Sequence, residues 1–319
     1  PRSTPKPSSA ASDVYKRQSI GILLAVFAIW SGSAVASIFT GIIYSLILNL
    51  PNNFITKSAG PRLLQIGIVI LGLSISLTKA FSVTGSYLPS ISLLVIITFF
   101  LGIYIGKLIG LDKKLTLLIA SGAAICGGTA MVAIAPIIKA RPKDLLTAIT
   151  LIFLLNALAI IIFPIIGLYL GISQDQFGAW AAMAIHDTSS VIGAAMVYGE
   201  EAVETAATLK LGRTLWLIPL ILLLSYKYQD KSSTKFQLPF FVIFFIIAIA
   251  IGSFIDLNSE TLNFIKLISQ SFLLLGLFCI GSQIDKKVLS NISVKPLQLV
   301  LILWIIVIPS SYLLIQAII

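Results

Sequence analysis

Charged residues are scarce in this chain: 11% of its 319 positions are Asp, Glu, Lys or Arg, against about 25% in an average soluble domain. Together with 58% hydrophobic residues and a mean hydropathy of +1.04, that scarcity excludes an ordinary soluble globular protein. Histidine occurs once, at His186, and cysteine twice, at Cys126 and Cys279, each inside an apolar run. So few ligand-bearing side chains supply no disulfide framework, no zinc spacing and no expected cofactor. Acidic residues are the minority sign, 12 against 22 Lys and Arg, for a net charge of +10. The basic residues lie in short clusters between apolar runs, which fits cytoplasmic loops rather than a nucleic-acid surface. Ten-residue segments of alternating polarity are missing too, which argues against a β-barrel.

What the chain does have is long apolar runs, at about 19–31, 33–50, 61–80, 86–109, 115–138, 145–170, 176–198, 205–226, 237–255, 261–281 and 296–318. They predict an all-α polytopic protein of eleven bilayer segments. Residues 19–319 form one transmembrane domain, with approximate repeats 33–170 and 176–319. The leader, residues 1–18, is polar and Pro/Ser-rich and is set aside from the fold. Its end, SDVYKRQ, resembles adapter read-through in assembled sequence data; a natural disordered tail is the alternative. The first segment is then cut short, Ile20 to Trp30 giving 11 apolar residues where a span needs about 20.

Loop charge sets orientation. With every segment crossing, eleven Lys and Arg fall on the side of Lys57 and Arg62 and five on the side of Lys79 and Lys266, placing the N-terminus in the cytoplasm and the C-terminus outside. If 115–138 and 176–198 instead re-enter, Lys139, Arg141 and Lys143 change sides and the bias becomes fourteen against two. Segment length, 24 and 23 residues, favours full spans, and spanning is the expectation adopted.

Two stretches carry chemistry. LTLLIASGAAICGGTAMVAIAPIIK, 115–139, is interrupted at its middle by Gly122, Cys126, Gly127, Gly128 and Thr129. A helix broken there is tolerated in lipid only where its freed backbone groups face protein or a water-filled cavity, which points to a polar site at mid-depth. The second stretch, AIHDTSSVIGAAMVYG, sets His186 beside Asp187 in an apolar segment, with Thr188, Ser189 and Ser190 following. Ionisable groups at that depth mark ion or substrate pathways, and histidine titrates near physiological pH, so His186 and Asp187 are the candidate proton- or ion-coupling pair. Lys210 and Arg213, three apart, share a helix face and are either anion contacts or side chains snorkelling to the interface. Glu200, Glu201 and Glu204 read as a solvated acidic turn, Asn156 as a helix–helix hydrogen bond, and Asp285, Lys286 and Lys287 as a loop. Gly67, Gly72, Gly276 and Gly281 read as close packing positions.

Two internal self-matches appear: Gly67–Ile75 with Gly276–Ile284, and Ala124–Thr129 with Ala184–Ser189. They imply different repeat units, so at least one is expected to be a chance match.

The blocks SGAAICGGTAMVAIAPIIKA (121–140), LLQIGIVILGLSIS (63–76), IHDTSSVIGAA, LKLGRTLWLIPLILLL (209–224) and SVKPL (293–297), in this order along the chain apart from the first two being interchanged, resemble the YeiH-type family of bacterial inner-membrane proteins, classed as sulfate exporters. The resemblance runs from about residue 20 to the C-terminus. It implies, by relation to the bile-acid, arsenite and riboflavin transporter superfamily, inverted five-helix repeats with one broken helix in each, and favours 261–281 as the partner of 115–138. Matching positions are Cys126, Gly127, Pro136, Lys139, His186, Lys210 and Arg213. The chain departs from the family pattern at Asp187–Ser190, where His-Glu-x-Ala-Gln is expected, at Gln65, where some members carry Arg, and at Ala135, where an acidic residue precedes the proline.

The expected function is a secondary transporter exporting a small sulfate- or sulfonate-like anion, coupled to H+ or Na+, in a bacterial inner membrane. Cys126, Gly127, Gly128, Thr129, Ser189, Ser190, Lys210 and Arg213 are the candidate substrate contacts, the free N–H groups after Gly127 and the hydroxyls acting as donors. A cation/proton antiporter using Asp187 is the alternative, and an intramembrane enzyme a weaker one, so no enzymatic activity is expected. A homodimer is compatible with this class, though no segment marks an interface.

Overall fold

The computed structural model describes residues 9–51, 54–228, 240–255, 257–283 and 294–318. Among them the chain is all helix: α1 (Ser9–Ser31), α2 (Ala34–Leu48), α3 (Ile55–Gly72), α4 (Leu77–Leu108), α5 (Lys113–Ala124), α6 (Gly128–Ile134), α7 (Pro142–Leu170), α8 (Gln174–Ala184), α9 (Thr188–Tyr198), α10 (Glu200–Thr214), α11 (Leu217–Tyr228), α12 (Phe240–Phe254), α13 (Ser259–Gly281) and α14 (Val294–Gln316). Five helical stretches are long and apolar enough to cross a membrane: α4, α7, α10 with α11, α13 and α14; α2, α9, α12 and most of α3 are shorter apolar helices. Local chemistry starts and stops them. Asp112 accepts the Lys114 and Leu115 N–H groups at the head of α5, Ser173 and Gln176 form a capping box on α8, and Gly171, at φ +64°, ends α7.

The helices fall into two groups. In one, α3 lies along α13, flanked by α2 on α13 and α12 on α3. The contacts are reciprocal: Gly67 meets Leu273 while Gly276 meets Leu64, and Ser269 Oγ donates to the Gly67 carbonyl at 2.8 Å. A Cβ at Gly41 would run into the Phe278 carbonyl and one at Gly252 into the Leu73 carbonyl, so α2 and α12 make equivalent close approaches. The other group holds α4 to α11 and α14, and α9 touches the first group through α2 and α13.

Several boundaries differ from the sequence reading. α1 begins at Ser9, inside the leader, and the Tyr44 hydroxyl donates to the Arg17 carbonyl at 2.8 Å. The acidic residues are no loop: Glu200 and Glu201 open α10, Glu204 pairs with Lys79 at 3.1 Å, and Lys266 pairs with both Glu200 and Glu204. Asp285, Lys286 and Lys287 lie outside the described residues. The 261–281 segment is one unbroken helix, α13, because no glycine-rich break interrupts it before Gly276 and that glycine is spent on packing against α3.

The largest correction concerns 115–138 and 176–198, which do not run straight through. Lys114 Nζ donates to the Lys139 carbonyl at 2.7 Å, across 25 residues that a straight helix would spread over about 37 Å. Asp112 and Arg141 also approach to 3.7 Å. The second stretch closes the same way: Tyr198 Oη donates to the Ile172 carbonyl at 2.5 Å, the Phe177 and Tyr198 rings stack at 3.9 Å, and the Glu201 N–H donates to Gln174 Oε1 at 3.1 Å. Each is a helical hairpin. The first opens at the C-terminal end of α4, the second near Lys79 at its N-terminal end, some 48 Å away along 32 helical residues.

Candidate functional site

The hairpin tips meet. In the first, α5 stops at Ala124, Ile125 and Cys126 make the turn, and Gly127 takes φ +59°, a conformation that favours glycine. Its N–H returns to the Gly122 carbonyl at 2.8 Å and Met131 folds back over Gly122, which closes the turn. In the second, α8 stops at Ala184, Ile185 is extended, and Asp187 caps α9 by accepting the Ser189 N–H at 3.0 Å. A Cβ on Gly127 would lie 3.2 Å from the Asp187 Cβ, so the two tips touch at this pair. A Cβ there would be a tight contact, and the absence of one lets the backbones approach this closely.

Lys210 and Arg213 share a face of α10, as their spacing predicts, and both are buried. Their hydrogen bonds go to backbone. Arg213 donates to Ala123 and Ala124 of the first tip at 2.7 and 2.8 Å and to Ala182 and Met183 of the second at 2.9 and 2.6 Å. Lys210 Nζ donates to Ile185 at 2.7 Å and Ala182 at 3.5 Å. The reason lies in the hairpins: α5 and α8 both end in the interior with unsatisfied last-turn carbonyls at the negative ends of their dipoles. One guanidinium clamps both. Sequence reading placed these cations on one face but gave no sign of the carbonyls they meet, since those come from elements up to 90 residues away.

The remaining candidates gather around this clamp. Cys126 and His186 are fully enclosed; the His186 ring lies beside the Ala123 carbonyl, and neither ring nitrogen reaches hydrogen-bond geometry. Ser190 is buried and Ser189 half-buried at the head of α9, while Thr129, at the head of α6, is exposed. Gly128 packs against Phe153 of α7. Pro136 and Lys139 do not join the tips; they lie in the turn that closes the first hairpin's open end, with Lys139 at φ +50°. Asn156, expected to bridge helices, is fully buried with neither amide atom bonded. No cluster of three or more metal-ligating side chains occurs among the described residues. At the tips the buried charged side chains are two cations, Lys210 and Arg213, and one carboxylate, Asp187.

An all-helical membrane protein with paired hairpins meeting at buried ionisable groups is the class that fold and site define. The chain belongs to the family described as conserved hypothetical protein 698, whose model matches residues 20–300; it is the same family as the YeiH-type one that the sequence resembles. Relatives named UPF0324 membrane protein include one from Porphyromonas gingivalis, 38% identical over 284 residues (88% of this chain, 86% of the relative). Others come from Vibrio vulnificus, 36% identical over 293 residues (91% and 94%), and Shewanella oneidensis, 40% identical over 255 residues (80% of each). No solved structure matches the chain.

Proposed function

We propose that this protein is a secondary transporter for a small anion of the sulfate or sulfonate type, coupled to H+ or Na+ and working by alternating access. The observation that carries the reading is the pair of opposed hairpin tips enclosing Lys210 and Arg213 against the single carboxylate of Asp187. Buried charge of one sign in excess is costly in a low dielectric, and an anion at the tips offsets it. On this reading the hairpins re-enter from opposite faces, nine helices cross, and the loops carry fourteen Lys and Arg inside against Lys79 and Lys266 outside. The N-terminus is then cytoplasmic and the C-terminus external, in a bacterial inner membrane.

The same arrangement gives both self-matches a role. The α2–α3–α4 run is the inverted counterpart of α12–α13–α14, and the first hairpin with α7 is the counterpart of the second hairpin with α10 and α11. The hairpin comes fourth in one half and first in the other. Gly127 and Asp187, equivalent positions in the second self-match, touch each other.

Movement of the hairpin group against the α3–α13 group exposes the tips to each side in turn, His186 and Asp187 changing protonation as they do. Lys210 and Arg213 act through field and clamp rather than as free ligands, while Thr129, Ser189 and Ser190 supply hydroxyls. The place of Asp187 at the tip contact favours one second reading, a cation/proton antiporter; Asp187→Asn then abolishes cation-dependent flux and leaves anion binding intact. The deciding experiment is flux in proteoliposomes loaded with sulfate, sulfite, sulfonates or carboxylates. Folded protein that moves none of them defeats the anion reading.

A further inference from the structure

Asn156 stands at the midpoint of α7, fully buried, with both Nδ2 and Oδ1 unbonded. Its direction follows from its neighbours on the helix. Phe153, three residues before, abuts Gly128 at the head of α6, and Ile160, four residues after, abuts Gly193 of α9. Residues three and four apart share a helix face, so Asn156 lies on the side of α7 that meets α6 of the first hairpin and α9 of the second. A carboxamide offers two donors and an acceptor with two lone pairs, and native interiors rarely leave both ends unpaired.

We propose that Asn156 is a direct ligand of the transported anion and selects oxyanions that carry a hydrogen-bond donor of their own over anions that only accept. This rests on the transporter reading above and narrows its substrate class. An acceptor-only anion such as sulfate can pair with Nδ2 but turns oxygen lone pairs toward Asn156 Oδ1 and the Asp187 carboxylate. A protonated or hydroxyl-bearing oxyanion pairs with both ends of the amide. Because both amide atoms are unbonded, the conclusion does not depend on which way the amide is turned.

The test uses the whole chain in proteoliposomes and two matched probe pairs, hydrogen phosphate against sulfate and 2-hydroxyethanesulfonate against ethanesulfonate. The donor-bearing member of each pair is expected to be carried at least about tenfold more efficiently. Asn156→Leu brings that ratio toward unity without lowering the melting temperature, since it removes an unpaired buried amide. Asn156→Asp, which only accepts, keeps or steepens the ratio. Equal transport within both pairs by the unaltered protein, or a ratio unchanged in Asn156→Leu, overturns the proposal and leaves the transporter reading standing. No flux of any of the four probes, nor of sulfite or a carboxylate, by folded protein defeats the anion reading itself, and this one with it.

Discussion

Lys114 and Lys139 open and close the first hairpin side by side, the ammonium of one donating to the carbonyl of the other at 2.7 Å. The bond sets the two ends of an apparent membrane span side by side, so the segment doubles back on itself. The second hairpin, closed by Tyr198 on Ile172, does the same from the far end of α4.

Sidedness follows directly. Cysteines placed at Lys114 and Lys143 are expected to react with an impermeant thiol reagent from one face of the membrane, and one placed at Glu201 from the other. Asp112→Cys with Arg141→Cys is expected to crosslink through a short spacer. Labelling of positions 114 and 143 from opposite faces would restore a spanning segment and dismantle the site described above.

Arg213 holds four carbonyls from two hairpins, so its removal is first a matter of stability. Arg213→Ala is expected to cost about 3 kcal/mol or more, the order found when one partner of a buried charged contact is removed. Arg213→Lys keeps the charge but lacks the planar fork, and recovers only part of the loss. Thermal unfolding in detergent, with and without anion, measures both. An Arg213→Ala protein as stable as the original would show that the carbonyls find other donors.

At Gly127 and Gly128 neighbouring glycines are expected to behave differently. Gly127→Ala forces a side chain into φ +59°, ψ −123°, a backbone region that favours glycine, and toward Asp187, at a cost of about 1–3 kcal/mol. Gly128→Ala meets only Phe153 at 3.5 Å, an ordinary contact. Melting temperatures of the two variants decide it; equal losses would mean that the tips do not touch as described.

Asp187 combines a cap with a charge, and the two can be separated. Asn caps helices as well as Asp, so Asp187→Asn is expected to keep stability while losing the pH dependence of flux. Asp187→Ala also loses the cap, at about 1 kcal/mol. A flux-versus-pH profile unchanged in Asp187→Asn would move the coupling group elsewhere, with His186 next in line.

Much of this arrangement was legible beforehand. The break at Cys126–Gly128 and the polar group His186–Ser190 stand out because lipid-facing helices rarely carry such residues, and Lys210 with Arg213 share a face by helical period alone. Loop charge already preferred hairpins at 115–138 and 176–198; length outweighed it because a hairpin of two short helices contains as many apolar residues as one span. Asn156 was misread for a plainer reason. A lone polar residue in an apolar helix usually has a partner, and sequence cannot say that this one has none.

By itself, then, the sequence determined the membrane class, the helical segments, the family and the residues that form the breaks, since composition and periodicity act locally along the chain. Tertiary structure alone decided that both broken segments double back, that the tips meet at Gly127 and Asp187, and that Arg213 joins them. Those outcomes depend on which unsatisfied carbonyl finds which distant cation, and on where one missing side chain lets two backbones touch. Distance along the chain carries no record of either.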